Sequence, residues 1–446
     1  VLWLYSLPRI GIGIMGILFA TYLMKFATDV LLIAPAAMGT LIAASRLWDA
    51  VSDPMAGYLS DRTRSPLGRR RSWMFAAAVP MGIGLVLIWS PPTGLGGVGL
   101  VVWMGLALLI YETASTAFFI PHGALGVELT PSYHERTRLF GWGHMIGALG
   151  MVLGLASLQL MNVAEDKRSF AFVLSLVAGT IVATIILWST RRLSERADYQ
   201  GRGGRGVLAS FADVFRNRHA RLLLIVFGIE TFGAASIGML VPYLVEYVIP
   251  MRELMVPLLA AYIVPQFALT PLWIVLAQRF GKKRLWLFSM FLSALAFAGF
   301  LPIREPGPLI WILAFALGVA GGCGAVVAPS VKADVIDYDE FLSGERKEGA
   351  YLAIWNLVRK SSASLTAFVT GWVLQISGFE PNLEQTEDAK FAIRALFSLL
   401  PAFCYLIGTL LLARFAFNEQ EHAEVRAAIE ARQTSGAGQS PPSRLS

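Results

Sequence analysis

Charge is scarce in this chain. Only 15% of its 446 residues are Asp, Glu, Lys or Arg, whereas a soluble domain carries about 25%. That shortage excludes an ordinary soluble globular protein. Cysteine is scarcer still. Cys323 and Cys404 both lie in apolar runs and read as buried small hydrophobes, not as ligands or a bridge. No paired-cysteine or HExxH pattern occurs, so no zinc site is expected. No GxxxxGK[ST] loop occurs, so ATP is not expected to drive the protein directly, and no cofactor is expected. The net charge of +7 does not point to nucleic acid. The basic residues sit in short loops between apolar runs, where they set membrane orientation.

What is abundant is hydrophobic sequence, at 56% of residues. It falls in repeated runs of about 20 residues, the length that crosses a bilayer as a helix. The fold class is therefore all-α and polytopic. Twelve spans are predicted, at 8–27, 36–59, 73–90, 98–127, 138–161 and 169–190, then 221–248, 255–277, 284–303, 308–336, 349–376 and 391–416. The first run is long enough to span and no small-residue cleavage site follows it, so it reads as a retained helix and not a signal peptide. The domains follow as a six-helix bundle (1–190), a linker rich in Arg and Gly (191–220), a second bundle (221–416) and a largely disordered tail (417–446). Lys and Arg concentrate in the linker and in the loops after even-numbered spans. Both termini are thus expected in the cytoplasm, in a bacterial inner membrane. The loops after spans 2 and 8 read LGRRR (Leu67–Arg71) and RFGKKR (Arg279–Arg284). This faint repeat suits a transporter of two related halves with its site near the midplane. Pro54, Pro121, Pro242, Pro265, Pro271 and Pro329 inside spans permit bends.

The stretch Arg46–Arg71 (RLWDAVSDPMAGYLSDRTRSPLGRRR) carries the main chemistry. Asp49, Ser52 and Asp53 fall at i, i+3 and i+4, so their oxygens share one helix face. Pro54 cannot donate to the Ala50 carbonyl. An acid inside a bilayer costs roughly 2.5–3.5 kcal/mol, and the default reading of such a residue is functional. Two carboxylates and a hydroxyl suit a hard cation such as Na⁺, with Asp49 and Asp53 as its metal ligands. Two close acids repel when both are ionised, so a proton is the other candidate. Arg46 supplies the plainer alternative, a salt bridge that only pins the helix. Lys360, within KSSAS (Lys360–Ser364), needs an anion, either the Asp pair or an acidic part of the substrate, unless it snorkels to an interface. His144 is equally compatible with a cavity and with an ordinary interior position. Asp334 and Asp337 beside Arg346 read as a gate network, together with Asp61, Arg62 and Arg69. An intramembrane hydrolase would place its paired aspartates on two helices, but here they share one. A channel explains poorly a linker between two six-span halves.

WDAVSDPMAGYLSDRTRSPLGRRRSW (Trp48–Trp73) resembles the signature of the glycoside–pentoside–hexuronide:cation symporters, the melibiose-permease-like branch of the major facilitator superfamily. The resemblance continues through Ile120–Leu139 and Ala333–Tyr351, then VRKSSAS and Leu374–Phe379. It implies the twelve-helix superfamily fold and symport by alternating access, not an enzyme. By position it implies that Asp49 and Asp53 are cation-site acids, with Ser52 where the melibiose permease has Asn. It also implies Thr116 as a helix-4 hydroxyl and Lys360 as a helix-11 lysine beside the acids. Gly13 and Phe119 stand where that permease holds its galactoside with acids. Tyr111–Leu125 also looks like the animal lysophospholipid symporters. Phe118 and Phe119 suit a sugar platform, an acyl tail or core packing. The expectation is a monomeric transporter in a lipid bilayer, coupling Na⁺ or H⁺ to a small organic solute. A glycoside or other sugar is favoured, with a lysophospholipid-like amphiphile as the alternative.

Overall fold

The computed structural model describes residues 2–129, 133–195, 214–215, 217–343, 348–416 and 419–435. Among the described residues there is helix and no strand. The first half holds α1 (Arg9–Thr21), α2 (Pro35–Arg62), α3 (Arg69–Trp89), α4 (Gly97–Glu128), α5 (Tyr133–Val163) and α6 (Lys167–Arg192). The second holds α7 (Arg218–Tyr243), α8 (Met255–Ala268), α9 (Thr270–Phe280), α10 (Lys282–Phe300), α11 (Pro308–Ser343), α12 (Glu348–Ile376), α13 (Glu387–Arg394) and α14 (Leu400–Ala413). A tail helix, α15 (Glu419–Ser435), follows.

Among the described residues, nine helices are long and apolar enough to cross a membrane, or ten if α8 and α9 form one span bent by 52°. The bend falls at Leu269, between the predicted breakers Pro265 and Pro271. Two long helices fall short in hydropathy. They are α2, with Arg46, Asp49, Asp53, Asp61 and Arg62, and α12, with Glu348, Arg359 and Lys360. Length is not their deficit. Their 28 and 29 residues reach about 42 Å at ~1.5 Å per residue, beyond the ~30 Å hydrocarbon core. The twelve predicted spans are consistent with this inventory.

The internal repeat has a backbone basis. Gly68 precedes α3 with φ 104° and ψ 155°, and Gly281 precedes α10 with φ 82° and ψ 146°. Both angles lie where a Cβ is strained, so glycine suits both turns. Each turn delivers three basic residues into the first turn of a helix. Elsewhere a helix start is capped by an acid: Asp166 accepts from the backbone N–H groups of Arg168 and Ser169 at 3.0 Å each. The Ser169 hydroxyl and these N–H groups hold its carboxyl below the usual carboxylate range.

The chain forms two compact units. The first comprises residues 1–204, 238–243 and 364–392, and the second comprises 205–237, 244–363 and 393–446. In the first unit small residues let helices meet backbone to backbone, as in membrane bundles generally. A Cβ on Gly13 would come within 2.2 Å of the Gly147 carbonyl on α5. One on Gly82 would lie 2.7 Å from the Gly179 carbonyl on α6. Gly39 abuts Ala367 and Gly371, which belong to the same unit. Gly13 therefore has no room for any side chain. In the second unit Ser289 donates to the Ala320 carbonyl at 3.1 Å and Ser398 to the Phe297 carbonyl at 2.6 Å, tying α10 to α11 and to the turn before α14. The predicted linker falls mostly on residues outside those described, as does the last part of the tail.

Gly16, on the same helix as Gly13, has nothing within 4 Å of its would-be Cβ. Gly13→Val should therefore cost about 3 kcal/mol or more by overpacking, seen as a lower melting temperature or loss of inserted protein. Gly16→Val should melt like the parent, and equal melting of the two variants would contradict the close packing.

Candidate cation and solute site

Three of the predicted residues, Ser52, Asp53 and Thr116, meet between α2 and α4 of the first unit, and Asp49 lies one turn earlier on α2. Asp49, Ser52 and Thr116 are buried and Asp53 is half-buried. Thr116 donates its hydroxyl to Asp53 Oδ1 at 2.8 Å, and Ser52 donates to Thr116 at 3.4 Å. These three side chains form a cluster of oxygens of the kind that holds a hard cation. The helix faces align because Trp48 Nε1 donates to Thr113 at 2.9 Å, fixing α2 against α4.

Asp49 stands apart from this cluster. Its Oδ2 lies 3.4 Å from Arg46, whose guanidinium also reaches Glu112 on α4 at 3.0 Å. Asp49 and Glu112 are almost wholly buried, while Arg46 keeps 29% of its side chain exposed. One arginine is thus shared by two buried carboxylates on two helices. Glu112 is a member of this ion-pair group that the sequence reading did not assign to the site. Its spacing four residues before Thr116 on α4 is the signal that places it on the same face.

The predicted gate residues separate into two networks, one in each unit. In the first, Arg70 binds Asp61 at 2.9 Å and Glu128, at the end of α4, at 2.7 Å. Arg69 reaches Glu128 at 2.8 Å and Asp61 at 3.9 Å. Glu195, just after α6, accepts from the backbone N–H groups of Arg69, Arg70 and Arg71 at 2.7–3.0 Å. A carboxylate there satisfies orphan donors and complements the helix dipole. In the second unit Lys282 binds Asp334, towards the end of α11, at 2.7 Å. His422 of the tail helix lies 3.1 Å from Asp337 and 3.6 Å from Asp334. The pattern repeats: a basic group after the glycine turn, an acid at the end of α4 or α11, and a residue just past the last span of the half. Arg62 stays outside it, exposed and paired with Tyr58 of its own helix. Arg346 lies outside the described residues.

Phe119 is half-buried against Phe118, with ring centroids 5.4 Å apart. His144 is exposed on α5. The histidine buried in α4 is His122, stacked on Tyr5 at 4.2 Å and bonded to its carbonyl at 2.9 Å. Lys360 is half-buried on α12, in the second unit.

Sequence reasoning missed a buried ion pair. Lys25 and Asp29 bind one another across one turn, 1% and 3% exposed. Thr28 hydrogen-bonds both Asp29 and the Tyr243 hydroxyl at 2.7 Å. Asn382 donates to the Asp29 carbonyl at 2.7 Å. A π-helical turn, Phe26–Val30, sets this geometry. Such turns favour functional positions, but five residues of irregular winding leave no mark in hydropathy. An apolar cleft of about 580 Å³ also lies between α3 and α4, lined by Trp73, Ala77, Pro80, Leu109, Ile110 and Thr113 among others.

Comparison with known proteins gives these helices a family. The family model for MFS/sugar transport proteins matches residues 4–419. The chain belongs to that family. As an MFS/sugar transport protein it is a multi-pass membrane transporter and not an enzyme. The inner membrane symporter YicJ of Escherichia coli (strain K12) is 27% identical over 405 residues, covering 88% of this chain and 86% of that protein. The glucuronide carrier protein homolog of the same organism is 25% identical over 440 residues, covering 96% and 94%. The inward-open structure of the E. coli xylose transporter XylE matches with a TM-score of 0.66 at 14% identity, over 96% of this chain and 98% of that one. This last likeness shows the fold, that of the major facilitator superfamily.

The networks of this MFS protein make a measurable difference between two acids. Arg69 and Arg70 are about nine-tenths buried, so Glu128→Ala leaves buried cations short of a partner and should cost about 3 kcal/mol or more. Glu384→Ala, which removes a 92% exposed partner of Lys390, should change melting by less than about 0.5 kcal/mol. Comparable melting temperatures for the two variants would refute this ranking.

Proposed function

We propose that the protein couples the movement of Na⁺ or H⁺ to symport of a hydroxylated organic solute, a glycoside or other sugar, by alternating access. The observation that carries this reading is the pairing of Asp53, Thr116 and Ser52 into one oxygen cluster beside an arginine shared by Asp49 and Glu112. Helix α2 keeps these charges at the cost of its own hydropathy, which a purely structural span has no reason to do. The chemistry of the donor set fits either ion. A hard cation takes the Asp53, Ser52 and Thr116 oxygens with Asp49 as a further ligand, and a proton neutralises one of the acids. The relatives' printed names, a symporter and a glucuronide carrier homolog, support symport and a sugar-like cargo.

In this mechanism the empty acid site disfavours the occluded state, and the ion's charge permits α2 and α4 to close. Lys360 and Phe119 then serve the solute or its coupling, with His144 as an ancillary position. Asp61, Arg69, Asp334 and Asp337 latch the loop-side ends of their own units. Positive loops place both termini in the cytoplasm of a bacterial cell, with the protein working as a monomer in the inner membrane. A second reading, transport of a lysophospholipid-like amphiphile, is favoured by the apolar cleft between α3 and α4, which would accept an acyl chain.

Asp49→Asn and Asp53→Asn should each abolish ion-stimulated uptake into proteoliposomes while the protein still inserts and melts cooperatively. Uptake that keeps its full Na⁺ or pH dependence in both variants would sink the coupling role. Stabilisation of the purified protein by lysolipids and by no sugar would select the second reading.

A further inference from the structure

We propose that the first unit carries a site for a resident phospholipid with an anionic headgroup, its acyl chain in the apolar cleft between α3 and α4 and its headgroup on Arg62 and Arg64. The inference is independent of which ion and which solute the protein carries.

The cleft measures about 580 Å³, inside the range of about 300–1,000 Å³ usual for small-molecule sites. Small side chains make the room: Ala76, Ala77 and Pro80 on α3, and Ala114 and Ala117 on α4. On α3 the lining runs from Ser72 to Pro80, a depth of about 12 Å at ~1.5 Å per residue. Ala76, Pro80 and Ile110 are exposed, so the cleft is open along its length and a chain can enter from the side.

The polar groups of the lining are already engaged. Ser72 donates to the Arg69 carbonyl at 3.0 Å, and Trp73 Nε1 donates to the Thr63 hydroxyl at 2.8 Å. Thr113 donates to the Leu109 carbonyl at 2.7 Å and accepts from Trp48. The other lining residues are Ala, Pro, Leu and Ile. No donor remains for a sugar hydroxyl, and a water in the cleft would lack the polar partners it needs. The chemistry of the walls selects hydrocarbon.

Charge identifies the headgroup. The Trp73–Thr63 bond brings the loop after α2 to the end of the cleft, and Arg62 and Arg64 flank Thr63, both exposed. The neighbouring arginines are taken. Arg69 and Arg70 bind Asp61 and Glu128, and Arg71 donates to the Thr190 and Arg191 carbonyls at 2.8 and 3.0 Å. Arg62 contacts the Tyr58 hydroxyl and ring, which bring no negative charge. Among the described residues no carboxylate lies within ion-pair distance of Arg62 or Arg64. Exposed basic residues at a bilayer surface attract anionic headgroups, and a Trp beside them suits the interfacial level. A free anion would use the arginines and leave the cleft unused, and a zwitterionic lipid would do the reverse. An anionic phospholipid answers both. Such a lipid is not cargo. Both walls belong to one compact unit, and alternating access moves one bundle against the other, so the cleft keeps the same opening throughout a cycle.

The test uses the full-length protein reconstituted in phosphatidylcholine vesicles, with brominated phosphatidylglycerol or brominated phosphatidylcholine as the minor component. Brominated chains quench nearby indoles, and Trp73→Phe identifies the Trp73 share of the emission. In the parent, phosphatidylglycerol should quench Trp73 at a mole fraction roughly tenfold lower than phosphatidylcholine does. The double variant Arg62→Gln, Arg64→Gln should erase that preference, and Arg62→Lys, Arg64→Lys should keep it. Both positions are exposed, so folding is not at stake. Ala76→Phe, at an exposed position in the lining, fills the cleft and should protect Trp73 from both lipids. Equal quenching by the two lipids in the parent, a preference that survives in the glutamine pair, or unchanged quenching in Ala76→Phe would each overturn the site. Lysophosphatidylglycerol that displaces the brominated lipid and accumulates inside the vesicles would overturn the resident role and assign the cleft to cargo.

Discussion

A carboxylate taken out of water must be met by a cation, by hydrogen-bond donors or by a proton, because several kcal/mol of desolvation otherwise stand against folding. Much of this architecture follows from that constraint. Asp49 and Glu112 share Arg46. Asp53 takes the hydroxyl of Thr116. Asp29 is held by Lys25 and Thr28. In each case the partner comes from the next helical turn or a neighbouring helix, so helix register is fixed by polar contacts that apolar packing alone would leave free to slide. Hydrophobic contact between helices supplies little discrimination in a lipid-like surrounding. The buried charges and the glycine contacts of α1 with α5 and of α3 with α6 supply it instead.

The two halves solve the same problem with different residues. Gly68 and Gly281 adopt the same unusual backbone angles and launch a basic triplet. In the first unit that triplet meets Asp61, Glu128 and Glu195. In the second, Lys282 meets Asp334, and His422 approaches the same acid. The second network is the weaker version. One lysine replaces two buried arginines, and a histidine stands where a helix-capping glutamate serves the first half. A lysine offers a point charge where an arginine offers a planar fork of donors, so the second assembly is the one an electrostatic change would loosen first.

The hydropathy pattern made the membrane class legible, and the Gly-basic repeat marked two turns of like backbone geometry. The Asp49–Asp53 face was legible because its spacing is periodic and its chemistry improbable in an apolar run. Thr116 was reached through resemblance, and the hydrogen bond to Asp53 gives it a physical reason. Glu112 and Glu128 were harder to read. Each is one acid at a helix position whose partner lies about 60 residues away in sequence, and pairing across that distance is decided by packing. The Lys25–Asp29 pair hid for another reason. A π-helical turn shifts the faces of α1's continuation, so regular periodicity points its side chains the wrong way. Lys332 and Glu230 are single charges in apolar runs, and the aromatic surroundings of Lys332, Phe227 and Trp355, assemble from separate helices with no local signature. The absence of an acid at position 13 has a direct cause: the carbonyl of Gly147 occupies the space a side chain would need.

In the proposed mechanism the shared arginine is the route by which an ion at the oxygen cluster would be felt beyond it. Asp53 lies one turn from Asp49, and residues so placed on a helix are about 6 Å apart. A positive charge added beside Asp53 stands about two helical turns, roughly 10 Å, from Arg46, and repels it by roughly 1–2 kcal/mol at an effective dielectric of about 20. Neutralising Asp53 with a proton removes a favourable interaction of similar size, so both candidate ions act in the same direction. Arg46 has two carboxylates to choose between, and Glu112 is the one on the other helix, at the shorter distance of 3.0 Å. In the proposed mechanism an entering ion would bias the guanidinium from Asp49 towards Glu112 on α4. A shift of about 1–2 kcal/mol lies within the usual size of a coupling free energy between two ligands. Linkage makes that coupling reciprocal: a solute that favours the same arrangement of α2 and α4 must tighten the ion by the same factor. No dedicated relay is needed beyond one arginine between two acids, and the cost of burying those acids is what makes the arrangement sensitive.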